Sequence, residues 1–354
     1  MKLATFEIIK EIEFIEGKDL IALATIQDYQ VVVKLEDFGV DDYCVYIPID
    51  TICDTTKPYF KFLDKCKGRV KTIKIGGEYS QGLAVPLSDF KEHIELPDPY
   101  SMTEKELDEF DLGLLLGVQK YEKDIPVASL KLKYGKNTSG SSFPGFPVHY
   151  IPITDESSLR SNSKVLKEMI GKELSITKKM DGSSMTLIWD DEIFILASRR
   201  IQLLSYHGDE LDFEYESPMV DYVKRLKLRE KFRGERIIIQ GEFCGPKINN
   251  NQMKLNIFHW YVFTIYYLND KRYYGYNEMR NFTEQNNFEI VPLVSEIICS
   301  EDHDVKYFQD LANTVKYGEK EGEGIVIRPV TPFIYSKLGG MNASFKVINQ
   351  KYKD

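Results

Sequence analysis

Short runs of β-branched or alternating residues, separated by turns, make up the first 95 residues of the chain. The clearest runs lie at residues 4–9, 29–33, 45–49 and 69–75. Short strands at this spacing predict a small barrel or sandwich, and an OB-type barrel is one such fold. The pattern therefore predicts a β-rich first domain over residues 1–95.

A helical connector is predicted to follow this domain. Residues 101–104 read Ser-Met-Thr-Glu, which has the form of a capping box, and they follow two prolines that end any preceding strand. Residues 134–142 are rich in glycine and serine, which indicates either a domain boundary or a loop inside the next domain. We place the connector at residues 96–144.

The rest of the chain, residues 145–354, mixes two patterns. Apolar runs at 236–240, 260–267 and 324–328 predict buried strands, whereas residues 277–286 and 304–315 predict helices. The expected fold class is α+β, with a β-barrel domain followed by a mixed α/β domain.

Composition limits the classes of protein to consider. The chain has 354 residues, 43% hydrophobic and 29% charged, as in soluble globular proteins, with a net charge of −9. The five cysteines form no Cys-x-x-Cys pair, so neither a disulfide framework nor a zinc ribbon is indicated and a reducing, cytoplasmic location is expected. The sequence has no signal-peptide core, no membrane-length apolar run and no P-loop.

One stretch of the first domain is basic although the chain is acidic. Its basic residues are Lys65, Lys67, Arg69, Lys71 and Lys74. Alternate positions of a strand share one face. The stretch is therefore either a stripe that binds a nucleic-acid backbone or a solvated strand face.

The most informative segment is residues 178–184, which read Lys-Lys-Met-Asp-Gly-Ser-Ser. Asp181-Gly182 between two apolar runs is typical of a hairpin turn. The alternative is that Lys179 is a nucleophile. A free lysine titrates near about 10.4 and is inert at neutral pH, but a neighbouring cation such as Lys178 or a metal ion lowers its pKa.

Two further candidates and an aromatic residue follow downstream. Arg199 comes directly after a predicted strand, and Glu242 follows the apolar run 237–239. A carboxylate at the end of a buried strand needs a partner, for which a ribose hydroxyl or a metal-bound water is suitable. Phe263 lies in another apolar strand. Surface charge for Arg199 and core packing for Phe263 are the alternatives.

The last two segments supply a carboxylate and a cation. Residues 321–328 read Glu-Gly-Glu-Gly-Ile-Val-Ile-Arg, in which Glu323 is a candidate oxygen ligand for Mg²⁺ or Mn²⁺ and Glu321 is its competitor. Lys346 follows 23 residues after Glu323, within the sequence Ser-Phe-Lys-Val-Ile. Such a lysine suits contact with a phosphate.

Taken in order, these segments resemble the motifs of the covalent nucleotidyltransferases, which comprise the ATP-dependent ligases and the mRNA-capping enzymes. The resemblance implies an ATP-grasp-like catalytic domain in which Lys179 carries a nucleoside monophosphate. It departs at Ser344, where the family normally has the first lysine of Lys-x-Lys, so that Lys337 or Lys351 is a possible second cation. The implied roles are catalysis by Lys179, Lys346, Asp181 and Arg199, nucleotide binding by Lys178, Gly182, Glu242, Phe263 and Glu323, and metal binding through water by Glu323, Glu242 and Asp181.

The order of the domains resembles one branch of this superfamily, the RNA ligases with an N-terminal OB domain. Segments 69–74, 77–83 and 151–156 are part of the resemblance, and only eight residues follow Lys346, so no OB domain is expected there. In the branch an arginine tends to follow Glu156, for which Arg160 is a substitute here. The resemblance implies a monomer that uses ATP and Mn²⁺ or Mg²⁺ to join RNA 3′-hydroxyl and 5′-phosphate ends. A capping guanylyltransferase, a DNA ligase and a non-catalytic RNA-binding protein are the alternatives.

Overall fold

Two units make up the chain in the computed structural model, which describes residues 2–121, 130–135, 143–153, 156–335 and 341–352. The first unit is Met1–Ile125 and the second is Pro126–Asp354. Leu112, Leu116 and Val118 lie in the core of the first unit, so this part of the predicted connector packs with the β-rich region. The domain limits 1–95, 96–144 and 145–354 stay predictions.

The first unit is built mainly from short antiparallel strands. They form a five-stranded sheet of order β3-β2-β1-β4-β9, a three-stranded sheet of order β10-β5-β6 and the hairpin β7-β8. The strands are β1 Thr5–Phe14, β2 Ile21–Ile26, β3 Tyr29–Lys34, β4 Tyr43–Ile47, β5 Thr51–Cys53, β6 Arg69–Val70, β7 Ile73–Ile75, β8 Glu78–Ser80, β9 Leu83–Pro86 and β10 Val118–Lys120. The helices are α1 Glu104–Glu109 and α2 Gly113–Leu116, with 3₁₀ turns at Pro58–Cys66, Leu87–Phe90 and Pro99–Ser101.

Alternation explains how these strands form a core. In β3, Tyr29, Val31 and Val33 are buried while the residues between them are only partly buried, which is the period of two expected for a sheet with one buried face. Two local predictions were wrong in detail. Residues 69–75 form two strands with different partners, not one, and the capping box of α1 consists of Thr103 and Glu106.

The second unit contains two larger sheets. One has nine strands in the order β11-β17-β16-β15-β14-β18-β19-β20, with β21 also paired to β19, and the other has five strands in the order β12-β28-β25-β13-β22. The strands are β11 Leu132–Tyr134, β12 Ser157–Ser158, β13 Glu173–Lys179, β14 Ser183–Asp190, β15 Ile193–Ser198, β16 Gln202–His207, β17 Glu210–Tyr215, β18 Arg236–Cys244, β19 His259–Tyr267, β20 Arg272–Tyr273, β21 Glu289–Ile290, β22 Leu293–Ile298, β23 Lys316–Tyr317, β24 Lys320–Glu321, β25 Gly324–Pro329, β26 Ile334–Tyr335, β27 Met341–Asn342 and β28 Phe345–Ile348.

Helices cover one face of each sheet. These are α3 Val165–Met169, α4 Pro218–Arg225, α5 Leu228–Lys231, α6 Tyr276–Asn286 and α7 Val305–Ala312, with a 3₁₀ turn at Arg160–Asn162. Helices α4, α5 and α6 bury apolar side chains against the nine-stranded sheet, and α3 and α7 do so against the five-stranded sheet. The buried strands and both helices predicted for this region are confirmed. Within the described residues, no helix combines the length and the apolar character needed to cross a membrane.

Candidate active site

The Lys-x-Asp-Gly segment is where the chain passes from one sheet to the other. Strand β13 ends at Lys179 in the five-stranded sheet, and β14 begins at Ser183 in the nine-stranded sheet. The two strands do not pair with each other, so the hairpin interpretation was wrong. A Cβ on Gly182 would lie 2.5 Å from the carbonyl oxygen of Phe243 and 2.9 Å from Cγ of Glu242, so the crossing requires glycine at this position.

Strand pairing places Glu323 beside Lys179. Lys179 pairs with Gly324 across the antiparallel ladder, and the Nζ atom of Lys179 lies 2.5 Å from Oε1 of Glu323. Gly324 has φ +145°, and a Cβ there would lie 2.1 Å from the carbonyl oxygen of Val347. Only glycine fits where β25 approaches β28 so closely, and this close approach fixes the residue before it next to the lysine.

Register also places Lys346 on the same face as Lys179. Thr177 of β13 pairs with Val326 of β25, which in turn pairs with Lys346 of β28. Directly paired residues share a face, and Lys179 is two residues beyond Thr177, so all four side chains belong to one face of the sheet. Lys346 acts on the buried carboxyl of Glu323, whose pKa it helps to lower against the effect of burial.

The nine-stranded sheet contributes Glu242 and Phe263. Glu242 lies near the end of β18, paired with Ser184, and its carboxyl interacts with Lys179. Phe263 is the extra residue of a β-bulge, because Gln240 pairs with Thr264 and the next residue of β18 pairs with Val262. Bulges turn a side chain out of the regular alternation, and they are common beside active sites.

Carboxylates dominate the electrostatics of Lys179. Burial disfavours its charged form, but the carboxylates of Glu323, Glu242 and Glu156 outweigh burial and raise the pKa of Lys179 above its ordinary value. Burial raises the pKa of Glu242 to about 8. The lysine is therefore held as an ammonium ion in the free protein, which is the reverse of the lowered pKa that its neighbour Lys178 was expected to cause.

A second ion pair, which we did not assign from the sequence, lies on the same sheet face. Arg328 donates to Glu156 over 2.8 Å, and its guanidinium carbon lies 5.7 Å from the centroid of the Phe263 ring. The charges of Arg328, Lys179 and Lys346 hold the pKa of Glu156 below its usual range, although burial opposes them. The sequence signal was a charged residue at an alternate position of a buried strand.

Three side chains outside the motifs hold the crossing in place. Asn249 donates from Nδ2 to Oδ1 of Asp181 over 2.9 Å and to the carbonyl oxygen of Gly182 over 2.5 Å. The hydroxyl of Tyr352 donates to Oδ2 of Asp181 over 2.6 Å, and the hydroxyl of Tyr317 donates to the carbonyl oxygen of Lys179. Both oxygens of Asp181 are thereby fixed by residues that no local pattern marked.

Other predicted residues lie apart from this cluster. The ammonium group of Lys178 donates to the carbonyl oxygen of Lys316 over 3.1 Å, since neighbouring residues of a strand point to opposite faces. Arg199 follows β15 in the turn to β16. Arg160 donates to Gln309 over 2.8 Å.

The remaining alternatives concern the acidic competitor and the second cation. Glu321 accepts hydrogen bonds from Asn349 and Lys316, so Glu323 is the residue beside Lys179. Lys351 acts electrostatically on Glu321, and Lys337 lies outside the described residues. The hydroxyl of Ser344 is buried without a hydrogen-bond partner.

The donor set suits a hard divalent cation that keeps water ligands. Within the described ranges, no three His, Cys, Asp or Glu side chains converge on one point closely enough to hold a metal ion by themselves. Mg²⁺ and similar ions are often bound by one or two carboxylates together with waters and substrate phosphates. Glu323, Glu242 and Asp181 fit that mode of binding.

Comparisons with known proteins agree with this architecture. The sequence model of the RNA ligase family matches residues 172–348, and that of an OB-fold domain matches residues 3–87. The structure is similar to that of Naegleria gruberi RNA ligase with PPi, at a TM-score of 0.76 and 24% identity over 99% of this chain and 97% of that chain. A mutant of that ligase with ATP and Mn gives a TM-score of 0.77 at 24% identity over 100% of both chains. A comparison with curated protein sequences found no match.

These results first define a class, an OB-fold domain followed by a ligase-type α/β domain, which confirms the predicted fold class. Because its ligase-family match spans half of its residues, the chain belongs to the RNA ligase family.

Proposed function

We propose that this chain is an ATP-dependent RNA ligase that joins 3′-hydroxyl and 5′-phosphate ends through a lysyl-AMP intermediate on Lys179. The observation that carries the proposal is the position of Lys179, at a crossing between two sheets and facing Glu323, Glu242 and Glu156. A buried lysine surrounded by carboxylates is expensive as a structural element. It suits a site where the charges change during a reaction.

Three transfers account for the chemistry. The Nζ atom of Lys179 attacks the α-phosphorus of ATP, a P–N bond forms and pyrophosphate leaves. An oxygen of the RNA 5′-phosphate then attacks the same phosphorus, so that the lysine is released and the RNA end carries AMP. Finally the 3′-hydroxyl attacks the RNA 5′-phosphorus, the strand is joined and AMP leaves.

The residues of the cleft have separable tasks in these transfers. Lys346, on the same sheet face as Lys179, offsets negative charge on the α-phosphate. Phe263, turned out of its strand by the bulge, offers a face for the base. Glu323, Glu242 and Asp181 would hold Mn²⁺ or Mg²⁺, which supplies positive charge to the triphosphate.

The raised pKa of Lys179 defines what ATP and metal binding must achieve. Attack requires the neutral amine, and the three carboxylates stabilise the ammonium form. Positive charge placed among these carboxylates weakens that stabilisation and lowers the pKa of the lysine. Nucleophile activation is therefore coupled to metal binding, and we expect no adduct without a divalent cation.

Intact mass measurement after incubation with ATP and Mn²⁺ tests the proposal, with Lys179→Ala as the control. We expect the parent protein to gain the mass of one AMP and to lose this gain in the variant, with EDTA and with GTP. An adduct from GTP alone would point to a guanylyltransferase. No adduct with either nucleotide and either metal would reject nucleotidyl transfer. Joining of a nicked RNA duplex then tests the end chemistry.

A further inference from the structure

Charge is strongly segregated within the first unit. Residues 57–79 contain seven basic and two acidic residues, whereas the rest of residues 1–125 contains eight basic and 23 acidic residues. A surface distributed merely for solubility mixes both signs. A local basic region on an acidic unit is instead the electrostatic footprint of a polyanion site.

Part of this region is one face of the three-stranded sheet. Arg69 of β6 pairs with Ile52 of β5, which pairs with Gln119 of β10, so these three residues share a face. Cys53 and Val118, which also pair with each other, belong to the unit's core. The face with Arg69 is therefore the outer one, and on it the guanidinium carbon of Arg69 lies 3.9 Å from the centroid of the Tyr121 ring.

The rest of the region extends along the hairpin β7-β8. In the described part of the chain this hairpin is a separate two-stranded sheet. Ile73 is 43% exposed, and the ammonium group of Lys74 lies 5.4 Å from the centroid of the Tyr79 ring. Lys65, Lys67 and Lys71 are also exposed. Cations next to aromatic rings thus line both the sheet face and the hairpin.

We propose that these residues bind the phosphate backbone of RNA at a site distinct from the cleft around Lys179. The basic patch comprises Lys65, Lys67, Arg69, Lys71 and Lys74 with Tyr79 and Tyr121. Lysine and arginine neutralise phosphates, and aromatic rings held by cations present faces on which bases stack. The proposal rests on the proposed function in one respect, that the polyanion is the RNA to be joined.

Charge removal on the full-length chain tests the basic patch. The patch variant is Lys65→Gln, Lys71→Gln and Lys74→Gln, which leaves out Lys67 because its φ of +54° belongs to the end of a 3₁₀ turn. The matched control is Lys34→Gln, Lys91→Gln and Lys105→Gln, three exposed lysines of the same unit with the same change in net charge. Binding of a labelled, fully joined RNA duplex is measured by fluorescence anisotropy over a series of salt concentrations.

We expect the patch variant to bind the duplex about 10- to 100-fold more weakly at low salt, with a salt slope reduced by about 2 to 3. The control should keep the parent affinity and slope. Equal behaviour of the two variants would overturn the proposal. Formation of lysyl-AMP is measured alongside: its absence from all proteins would reject the proposed function and not the RNA site, because duplex binding is read independently.

Discussion

The two faces of the five-stranded sheet share the same strands but differ in chemistry. One face packs against α3 and α7 through apolar side chains such as Leu174, Ile176 and Ile325. The other presents Thr177, Lys179 and the residues paired with them. Since alternate residues of one strand supply both faces, a register slip of one residue would exchange the core and the site. The alternation therefore encodes stability and chemistry together, and each can be disturbed separately.

The largest expected effect separates two carboxylates of the polar side, Glu323 and Glu321. We expect Glu323→Gln to slow lysyl-AMP formation by at least about 10²- to 10³-fold, because the carboxylate beside Lys179 and its metal site are lost. Glu321→Gln should change the rate less than about threefold, since that carboxylate bonds Asn349 and Lys316. Single-turnover labelling with ATP measures both rates. A larger effect of Glu321→Gln would assign the role to the wrong residue.

The apolar face is tested by Ile176→Ala, compared with Thr177→Val on the other face. Ile176 is fully buried, so truncation should cost about 2–5 kcal/mol in the free energy of unfolding. Thr177→Val removes only a long hydrogen bond of 3.4 Å and should cost about 1 kcal/mol or less. Denaturant unfolding measures both values, and equal losses would contradict the division into two faces.

The sequence predicted most of what alternation and motif order can encode. The strands containing Glu242, Phe263 and Glu323, the helices α6 and α7, and the order of the motifs followed from local patterns. A local pattern does not contain register, so it did not show that Lys179 and Lys346 share a face. That relation arises from two ladders that join β13, β25 and β28.

Loops and bulges account for what the sequence did not reveal. Phe263 was recognised by its residue type, but the bulge that turns it depends on pairing with β18. Asn249 and Tyr352 contact Asp181 from segments 68 and 171 residues away, at positions without periodic patterns. Glu156 was noted as part of a segment, but its partner Arg328 lies 172 residues away. Long-range contacts of this kind require the fold.

An intermediate effect concerns pH, which should act on the polar face alone. The pKa of Glu242 is raised to about 8 in the folded protein, above its ordinary value. Folding stability from this group is therefore present at low pH and is lost as pH rises towards 8. In EDTA, we expect Glu242→Gln to gain stability over the parent by up to about 1.4 kcal/mol for each pH unit between 5 and 8. The exposed Glu173→Gln is the control, and a pH-independent difference would show that Glu242 is not the cause.

The smallest effect concerns the support of Asp181, where Tyr352 acts as a positioning residue. Tyr352→Phe keeps the ring but removes the 2.6 Å hydrogen bond to Oδ2 of Asp181, so we expect lysyl-AMP formation to slow about tenfold. Tyr307→Phe, on the exposed side of α7, should leave the rate unchanged.

A double-mutant cycle distinguishes positioning of Asp181 from general packing. In an Asp181→Asn background the hydroxyl of Tyr352 has lost its charged acceptor, and Tyr352→Phe should then slow the reaction less than twofold further. An undiminished tenfold effect in that background would mean that Tyr352 acts on another group. Agreement with the cycle would extend the polar face beyond the sheet, since a residue outside every strand would then control the geometry at the end of β13.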